Sequence, residues 1–149
     1  MSKVKLNLIA AACDNMGIGV NGTLPWRLKN EMAYFSKMTS GVTDSSKKNA
    51  VIMGRQTYDC IPDKYRPLSG RVNIVLTRSV EELKKRRSMV HPACDKIYLT
   101  EIQKSFECDT FFPSIDHGQF VLVTEDGVPQ DLQQEGDTPY YYRIYKKCN

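Results

Sequence analysis

Long apolar runs are absent from this sequence. No stretch approaches the ~20 apolar residues that a membrane-spanning helix needs, and the mean hydropathy is −0.44. Lys3 and Lys5 precede only a short apolar run, which leads into a glycine-rich loop and not into a signal-peptide cleavage site. We therefore expect a cytosolic protein with no membrane association.

Paired cysteine motifs are also lacking. The five cysteines are odd in number and widely spread, and no Cys-x-x-Cys pair occurs. This pattern indicates neither a zinc site nor a disulfide framework, and His91 and His117 have no metal-ligand spacing. The sequence favours reduced thiols and predicts no bound metal.

The charge excess is small, at +4 from 21 lysines and arginines against 17 aspartates and glutamates. It falls short of a dedicated nucleic-acid binder but is compatible with anionic small-molecule ligands. The basic run 84–87 (KKRR) is typical of a solvated helix face. A nucleic-acid-binding protein built on this run stays open as an alternative, and it predicts salt-dependent binding that survives loss of Glu31.

The chain does contain a mixed pattern of strands and helices. Its 149 residues match the length of one domain, and we predict a single domain over 1–149. Strands and helices alternate in the first half and strands crowd together after Pro92, which predicts a mixed α/β sheet flanked by helices with an antiparallel C-terminal hairpin. The predicted strands are Leu6–Cys13, Asn49–Met53, Arg71–Thr77, Lys96–Thr100, Phe106–Phe112, Gln119–Thr124 and Tyr140–Lys146. The predicted helices are Trp26–Thr39, Arg55–Cys60 and Ser79–Arg87.

Glu31 is the most informative single residue. At 3.6 residues per turn it lies close to Leu28 and Phe35, inside the apolar stripe of its predicted helix. A carboxylate in that position is uncommon unless it is paired or functional, and burial suits it to handle a proton near neutrality. Periodicity alone leaves a helix-edge glutamate that reaches water equally open.

The segment 14–25, which we call the glycine loop, contains Gly17, Gly19 and Gly22 and ends just before Trp26. Flexible residues that end on a rigid aromatic are typical of a lid over a substrate. A plain connection is the alternative. Because the helix of Glu31 follows directly, the pattern favours the lid.

Two strand ends have the composition of anion sites. Gly54 is followed by Arg55, Gln56 and Thr57, and the next strand ends in Thr77, Arg78 and Ser79. A strand that passes into a helix leaves free backbone N–H groups, here beside a cation and a hydroxyl. Side by side, two such sites predict a phosphorylated nucleotide, although each alone is typical of a capped helix with a solvated arginine.

Arg71 opens a predicted strand after Gly70. A guanidinium there can hold a carboxylate with two hydrogen bonds or simply face water, and sequence alone favours water.

Taken together, these segments resemble dihydrofolate reductase of the animal type. The matching text is NMGIGVNGTLPWRLKNEMAYF, VIMGRQTYDCIP, RPLSGRVNIVLTR, CDTFFPSID and YYYRIYKK, and it covers most of residues 5–78 and 92–147 in the family's order. The resemblance implies NADPH-dependent reduction of 7,8-dihydrofolate to tetrahydrofolate, with antifolates as further ligands, by a cytosolic monomer.

The resemblance also implies residue roles. Glu31 would bind the pterin ring and help protonate its N5 through water, supported by Trp26 and by a hydrogen bond from Thr100. Ile9 and Phe35 would pack on the substrate rings, while Arg71 would hold the glutamate α-carboxylate. The cofactor side would be formed by Ala11, Gly17, Ile18, Gly19, Gly22, Thr23, Gly54, Arg55, Gln56, Thr57, Thr77, Arg78 and Ser79.

One segment departs from the family pattern. Between Arg78 and Cys94 the family has a buried central strand and a Gly-Gly pair beside the cofactor, and this chain has only SVEELKKRRSMVHPA, without glycine. We predict an internal deletion around 79–93 that removes one central strand. A catalytically impaired variant, which keeps part of the folate site but binds NADPH poorly, is therefore a second alternative.

Overall fold

A computed structural model of the chain describes residues 5–76 and 94–148. The predicted helix 79–87, the basic run 84–87 and the predicted deletion lie outside the described residues. No helix in the described part of the chain is long and apolar enough to cross a membrane. The chain divides into two compact units, 1–27 with 84–149 and 28–83. We call them the large unit and the small unit, and describe each by itself.

The large unit is built around one sheet. Its strands are β1 (Leu6–Ala12), β5 (Cys94–Ile102), β7 (Phe120–Val123), β8 (Gln133–Glu135) and β9 (Thr138–Lys147). The order is β1-β5-β9-β7, with β8 also paired to β9. β1 runs parallel to β5, whereas the β9 pairings are antiparallel. The predicted mixed sheet with an antiparallel C-terminal hairpin is confirmed.

The core of the large unit lies along β5 and β9, which are rich in β-branched and aromatic residues. Ile97, Leu99 and Ile102 on β5 are at most 2% exposed, and Phe120 and Ile144 are both 2% exposed. Two further short strands, β2 (Gly17–Gly19) and β6 (Thr110–Phe111), form an antiparallel pair inside the same unit.

Over residues 28–76, the small unit contains a two-stranded parallel sheet and two helices. β3 (Ala50–Gly54) pairs with β4 (Val72–Leu76), α1 is Lys29–Ser40, α2 is Arg55–Cys60, and a 3-10 turn covers Asp63–Tyr65. α2 begins and ends where the sequence predicted.

Most predicted bounds are within two residues of those in the structure; two differ by more, and the short strands β2 and β8 were not predicted. The helix predicted from Trp26 begins at Lys29, because Leu28 has extended backbone angles and acts as its N-cap. Of the predicted strand Phe106–Phe112, only Thr110 and Phe111 are in a strand. β8 was missed because Gln133, Gln134 and Glu135 carry no apolar pattern.

Candidate functional site

The end of β1 brings two of the predicted site residues together. In the parallel pairing of β1 with β5, Ala11 is opposite Thr100 and Ile9 is opposite Tyr98. Paired residues of neighbouring strands lie on the same face, so Ala11 and Thr100 share one face of the sheet. Thr100 is buried, at 1% exposure. Threonine side chains are mostly exposed in folded proteins, so complete burial indicates a structural or functional role.

The glycine loop is held by β6 and by Asp109, the residue just before it. Gly17 pairs with Phe111 and Gly19 with Thr110, and the backbone N–H of Asp109 donates to the Gly19 carbonyl at 3.0 Å. The Asp109 carboxylate in turn accepts a hydrogen bond from the Asn21 N–H at 2.9 Å. The N–H of Asn21 and the hydroxyl of Thr110 hold the pKa of Asp109 below its usual value.

The tip of the glycine loop is a tight turn of its own. Val20 and Thr23 exchange backbone hydrogen bonds of 2.9 Å, and the Thr23 hydroxyl also donates to the Val20 carbonyl at 3.0 Å. Asn21 and Gly22 between them have φ of 50° and 73°, the left-handed region that glycine and asparagine tolerate best. Residues 21–24 are exposed. The loop is thus anchored at Gly17–Gly19 and open at its tip, the form expected of a lid.

Trp26 is buried just after this loop. It is 7% exposed and meets the Phe106 ring edge-on, with ring centroids 5.5 Å apart. Its indole Nε1 has no hydrogen-bond partner in the described part of the chain. Because an unsatisfied buried donor is costly, such an atom marks a position for an ordered water or a ligand acceptor.

Helix α1 places Glu31 on its buried face. Glu31 is 6% exposed and Thr39 is 8% exposed, and Phe35 between them is half-buried. Met32, an apolar residue of the same helix, is 50% exposed. The buried stripe therefore follows Leu28, Glu31, Phe35 and Thr39, so the helix-edge alternative for Glu31 is wrong.

Arg71 is held from two directions within the small unit. Its Nε donates to the Ser69 carbonyl at 2.8 Å and its Nη1 donates to the Thr39 hydroxyl at 2.9 Å. The Thr39 hydroxyl donates onward to the Phe35 carbonyl at 2.8 Å. The guanidinium is half-buried and oriented, unlike the solvated arginine that sequence alone favoured. An oriented guanidinium of this kind can receive a carboxylate with two hydrogen bonds.

One asparagine shapes the turn that leads into Arg71. The Asn73 side chain accepts from the Leu68 N–H at 2.9 Å and donates to the carbonyls of Leu68 and Arg71, each at 3.0 Å. Its single amide thereby satisfies three backbone groups of the loop 66–71. The position of the Arg71 backbone depends on this side chain.

The first predicted anion site lies at the end of β3. Gly54 and Leu76 are paired, so parallel β3 and β4 end at the same edge of the small sheet. Gly54 is buried, while Arg55, Gln56 and Thr57 begin α2 and are exposed. Arg55 makes an ion pair with Asp59 at 3.5 Å. Thr77, Arg78 and Ser79 lie outside the described residues.

The predicted site residues fall into two groups. The large unit holds Ile9, Ala11, Gly17, Ile18, Gly19, Gly22, Thr23, Trp26 and Thr100, and the small unit holds Glu31, Phe35, Gly54, Arg55, Gln56, Thr57 and Arg71. The hydrogen bond expected between Thr100 and Glu31 stays a prediction, as do the roles of all these residues. Sequence reasoning missed Thr39 and Asp109, whose hydrogen bonds to Arg71 and to the glycine loop join residues far apart in the chain.

Comparison with known proteins identifies relatives along the whole chain. The profile of the family described as dihydrofolate reductase matches residues 5–92 and 87–147. The dihydrofolate reductase of Heliothis virescens is 56% identical, with 99% of this chain and 100% of that protein covered. That of Aedes albopictus is 41% identical, with 96% and 97% covered. A solved structure of Schistosoma mansoni dihydrofolate reductase superposes with a TM-score of 0.79 at 25% identity, covering 99% of this chain and 100% of that one.

Proposed function

Because the chain belongs to the dihydrofolate reductase family, we propose that it reduces 7,8-dihydrofolate to 5,6,7,8-tetrahydrofolate with NADPH, in the supply of one-carbon units and thymidylate. The observation that carries this proposal is the burial of Glu31 in a helix of a chain that matches the family along its length. The comparisons favour this reductase over an impaired variant or a nucleic-acid-binding protein.

Glu31 is the residue to which we assign the pterin ring. A carboxylate at 6% exposure is shielded from bulk water, and in such surroundings its hydrogen bonds to the 2-amino and ring N–H groups of a pterin gain strength. The carboxylate orients the ring and, through water, helps to deliver a proton to N5. Trp26, to which we assign support of the pterin site, has a buried indole Nε1 without a partner among the described residues, and such a donor suits an ordered water.

Arg71 is the residue to which we assign the substrate's glutamate tail. Two of its donor groups are already committed to Ser69 and Thr39, which sets the plane of the guanidinium. A carboxylate that arrives in that plane meets a group whose orientation has been settled before binding, so less side-chain entropy is lost. Dihydrofolate and antifolates with the same carboxylate would share this contact.

The residues present fit the phosphates of NADPH at the end of β3. Arg55, Gln56 and Thr57 offer a guanidinium, an amide and a hydroxyl at the start of α2, and the start of a helix favours negative charge. The buried Gly54 ahead of them lets a ligand approach the backbone. When bound, NADPH supplies the hydride for the reaction. Ala11 and the glycine loop are the parts of the large unit to which we assign the nicotinamide.

We retain the internal deletion around 79–93 as part of the proposal. The family profile matches in two stretches that overlap at 87–92, within the segment 79–93 that differs from the family pattern. The alignment with the Heliothis virescens protein extends over 184 positions, whereas this chain has 149 residues. Both observations support a segment present in the relatives and shortened here. The chain is proposed to act as a cytosolic monomer.

Turnover of the full chain tests this function. NADPH consumption with dihydrofolate is expected for the wild type, and Glu31→Gln is expected to lower the rate at neutral pH by about a hundredfold or more, because a proton-handling carboxylate is lost. The exposed Glu107 provides the matched control, and Glu107→Gln should keep the wild-type rate. Wild-type rates for Glu31→Gln between about pH 5 and 8, or no turnover in folded wild-type protein, would overturn the proposal.

A further inference from the structure

Two cysteines that are far apart in the sequence meet in the large unit. The Sγ atoms of Cys13 and Cys108 are 3.9 Å apart, although the residues are 95 positions apart in the sequence. Cys13 is 3% exposed and Cys108 is half-buried. The contact is that of two reduced thiols, of which either can donate the proton.

Both thiols lie at the base of the glycine loop. Cys13 directly follows β1, and its backbone N–H donates to the Gly17 carbonyl at 3.0 Å. Cys108 packs on Gly17 so closely that a Cβ on that glycine would lie 2.3 Å from the sulfur. Cys108 also precedes Asp109, whose backbone and carboxylate hold Gly19 and Asn21. The pair therefore links the residue just before the glycine loop to the segment that anchors it.

A small movement would join these sulfurs. A disulfide bond is about 2.05 Å long, so the 3.9 Å separation must shorten by about 2 Å. Burial, and then the hydrogen bond to Cys13, raise the pKa of the Cys108 thiol. The raised pKa means that Cys108 becomes the reactive thiolate more readily as the pH rises above neutrality, so its attack on a disulfide should be faster in mildly alkaline solution.

We propose that Cys13 and Cys108 form a redox-sensitive thiol pair that closes to a disulfide when the protein meets a low-molecular-weight disulfide oxidant. The more accessible Cys108, as thiolate, attacks the oxidant, forms a mixed disulfide and releases one thiol. Cys13 then loses its proton, attacks Cys108 Sγ and expels the second thiol. Two protein thiols are oxidised, and one oxidant disulfide is reduced to two thiols.

The bond would restrain the glycine loop. Cys13 and Cys108 would become one covalent anchor where hydrogen bonds and the β2–β6 pairing now act, so opening of residues 14–23 would require the anchoring segment to move with them. This consequence for catalysis rests on the proposed function, because it assumes that the loop is a lid. Formation of the bond does not.

Oxidised glutathione is the probe for this pair. The purified, reduced full chain is incubated with it, and free thiols, intact mass and cross-linked peptides are measured without substrate. We expect the five thiols to fall to three, with loss of two hydrogen atoms and one peptide pair joining Cys13 to Cys108. Amide exchange of residues 14–23 should slow by about tenfold, and a thiol reductant should reverse both changes.

Matched serine variants make the test decisive. Cys13→Ser and Cys108→Ser should abolish the cross-link, and in Cys13→Ser the glutathione adduct should remain on Cys108. The exposed cysteines Cys60 and Cys148 supply the control. The double variant Cys60→Ser and Cys148→Ser should still form the cross-link between Cys13 and Cys108. A stable adduct on wild-type Cys108, or cross-links of other cysteines only, would overturn the proposal. A cross-link with unchanged exchange of the loop would overturn its coupling to the lid.

Discussion

The two compact units of this chain differ in what they bury. In the large unit, β5 places Ile97, Leu99 and Ile102 in a nearly dry core, each at most 2% exposed. In the small unit, Ile52, Val72 and Ile74 on β3 and β4 are between 40% and 54% exposed. Among its described residues, those that are buried are Leu28, Glu31, Thr39 and Gly54.

The buried residues of the large unit serve mainly stability, whereas those of the small unit include residues of the candidate site. Apolar burial is the main favourable term in folding, and the large unit has most of it. The small unit uses its few buried positions for a carboxylate and for the hydroxyl that orients Arg71. We infer that the large unit sets the stability of the chain, whereas the small unit depends on its ligands for part of its order.

Two matched isoleucines provide the strongest way to break this comparison. Ile97→Ala should lower the free energy of unfolding by about 3–4 kcal/mol, because a fully buried side chain leaves a cavity. Ile52→Ala, at 54% exposure, should cost about 0.5 kcal/mol or less. Urea unfolding of both variants measures the difference. Similar losses would mean that the two units contribute equally.

Ligand binding should act mainly on the small unit. At a dihydrofolate concentration of about 100 times Kd, binding stabilises the folded state by about 2.7 kcal/mol. Amide exchange in 28–76 should therefore slow by up to about a hundredfold, since this unit is otherwise the less protected. Exchange in β5 and β9 should change less. Equal protection of both units would contradict the assignment of ligand dependence to the small one.

Substitution of Thr39 tests whether the Arg71 guanidinium is oriented before the substrate binds. Thr39→Val removes the hydroxyl that accepts from Arg71 Nη1, and it should weaken dihydrofolate binding by about 1 kcal/mol, or roughly fivefold. NADPH binding should be unchanged. In an Arg71→Ala background the same substitution should have no further effect on dihydrofolate affinity. Additive losses would show that Thr39 acts independently of Arg71.

The smallest expected effect concerns an ion pair of the large unit. Burial acts to raise the pKa of Glu125, but hydrogen bonds of 2.7 Å from Lys96 and Tyr98 outweigh it and lower the pKa below its usual 4.5. The stabilisation is therefore present above about pH 4.5 and is lost as the pH falls through the lowered value. Glu125→Gln should cost about 0.5–1 kcal/mol at neutral pH. The loss should vanish in acid, and a constant loss across pH would contradict this account.

Local pattern was sufficient for much of this fold. The apolar run of β1 and the β-branched and aromatic residues of β4 and β9 predicted those strands, and the apolar period around Glu31 indicated a buried carboxylate while leaving a water-exposed one equally open. The pattern failed where distant backbone decided the outcome. Of Phe106–Phe112 only Thr110 and Phe111 are in a strand, because their partner is the three-residue β2, which is distant in the chain.

The candidate site shows the same division. The sequence identified Arg71 as a candidate carboxylate-binding residue, but the orientation of its guanidinium depends on Thr39, 32 positions away. Similarly, five cysteines without a paired motif gave no reason to expect Cys13 against Cys108. Contacts of this length have no local signal, since they arise only when the elements pack. Chemistry was therefore easier to predict than position.

The amide of Asn73 has a consequence for how this region can vary. It completes three hydrogen bonds for the turn before β4, so the turn's own side chains have little part in maintaining its shape. Substitutions at Leu68 and Ser69 should therefore leave the geometry of Arg71 unchanged. At Asn73 even the isosteric change to Asp should disturb it, because the two N–H donors of the amide are lost. Among related sequences, the turn should therefore vary more than the strand residue Asn73 that follows it.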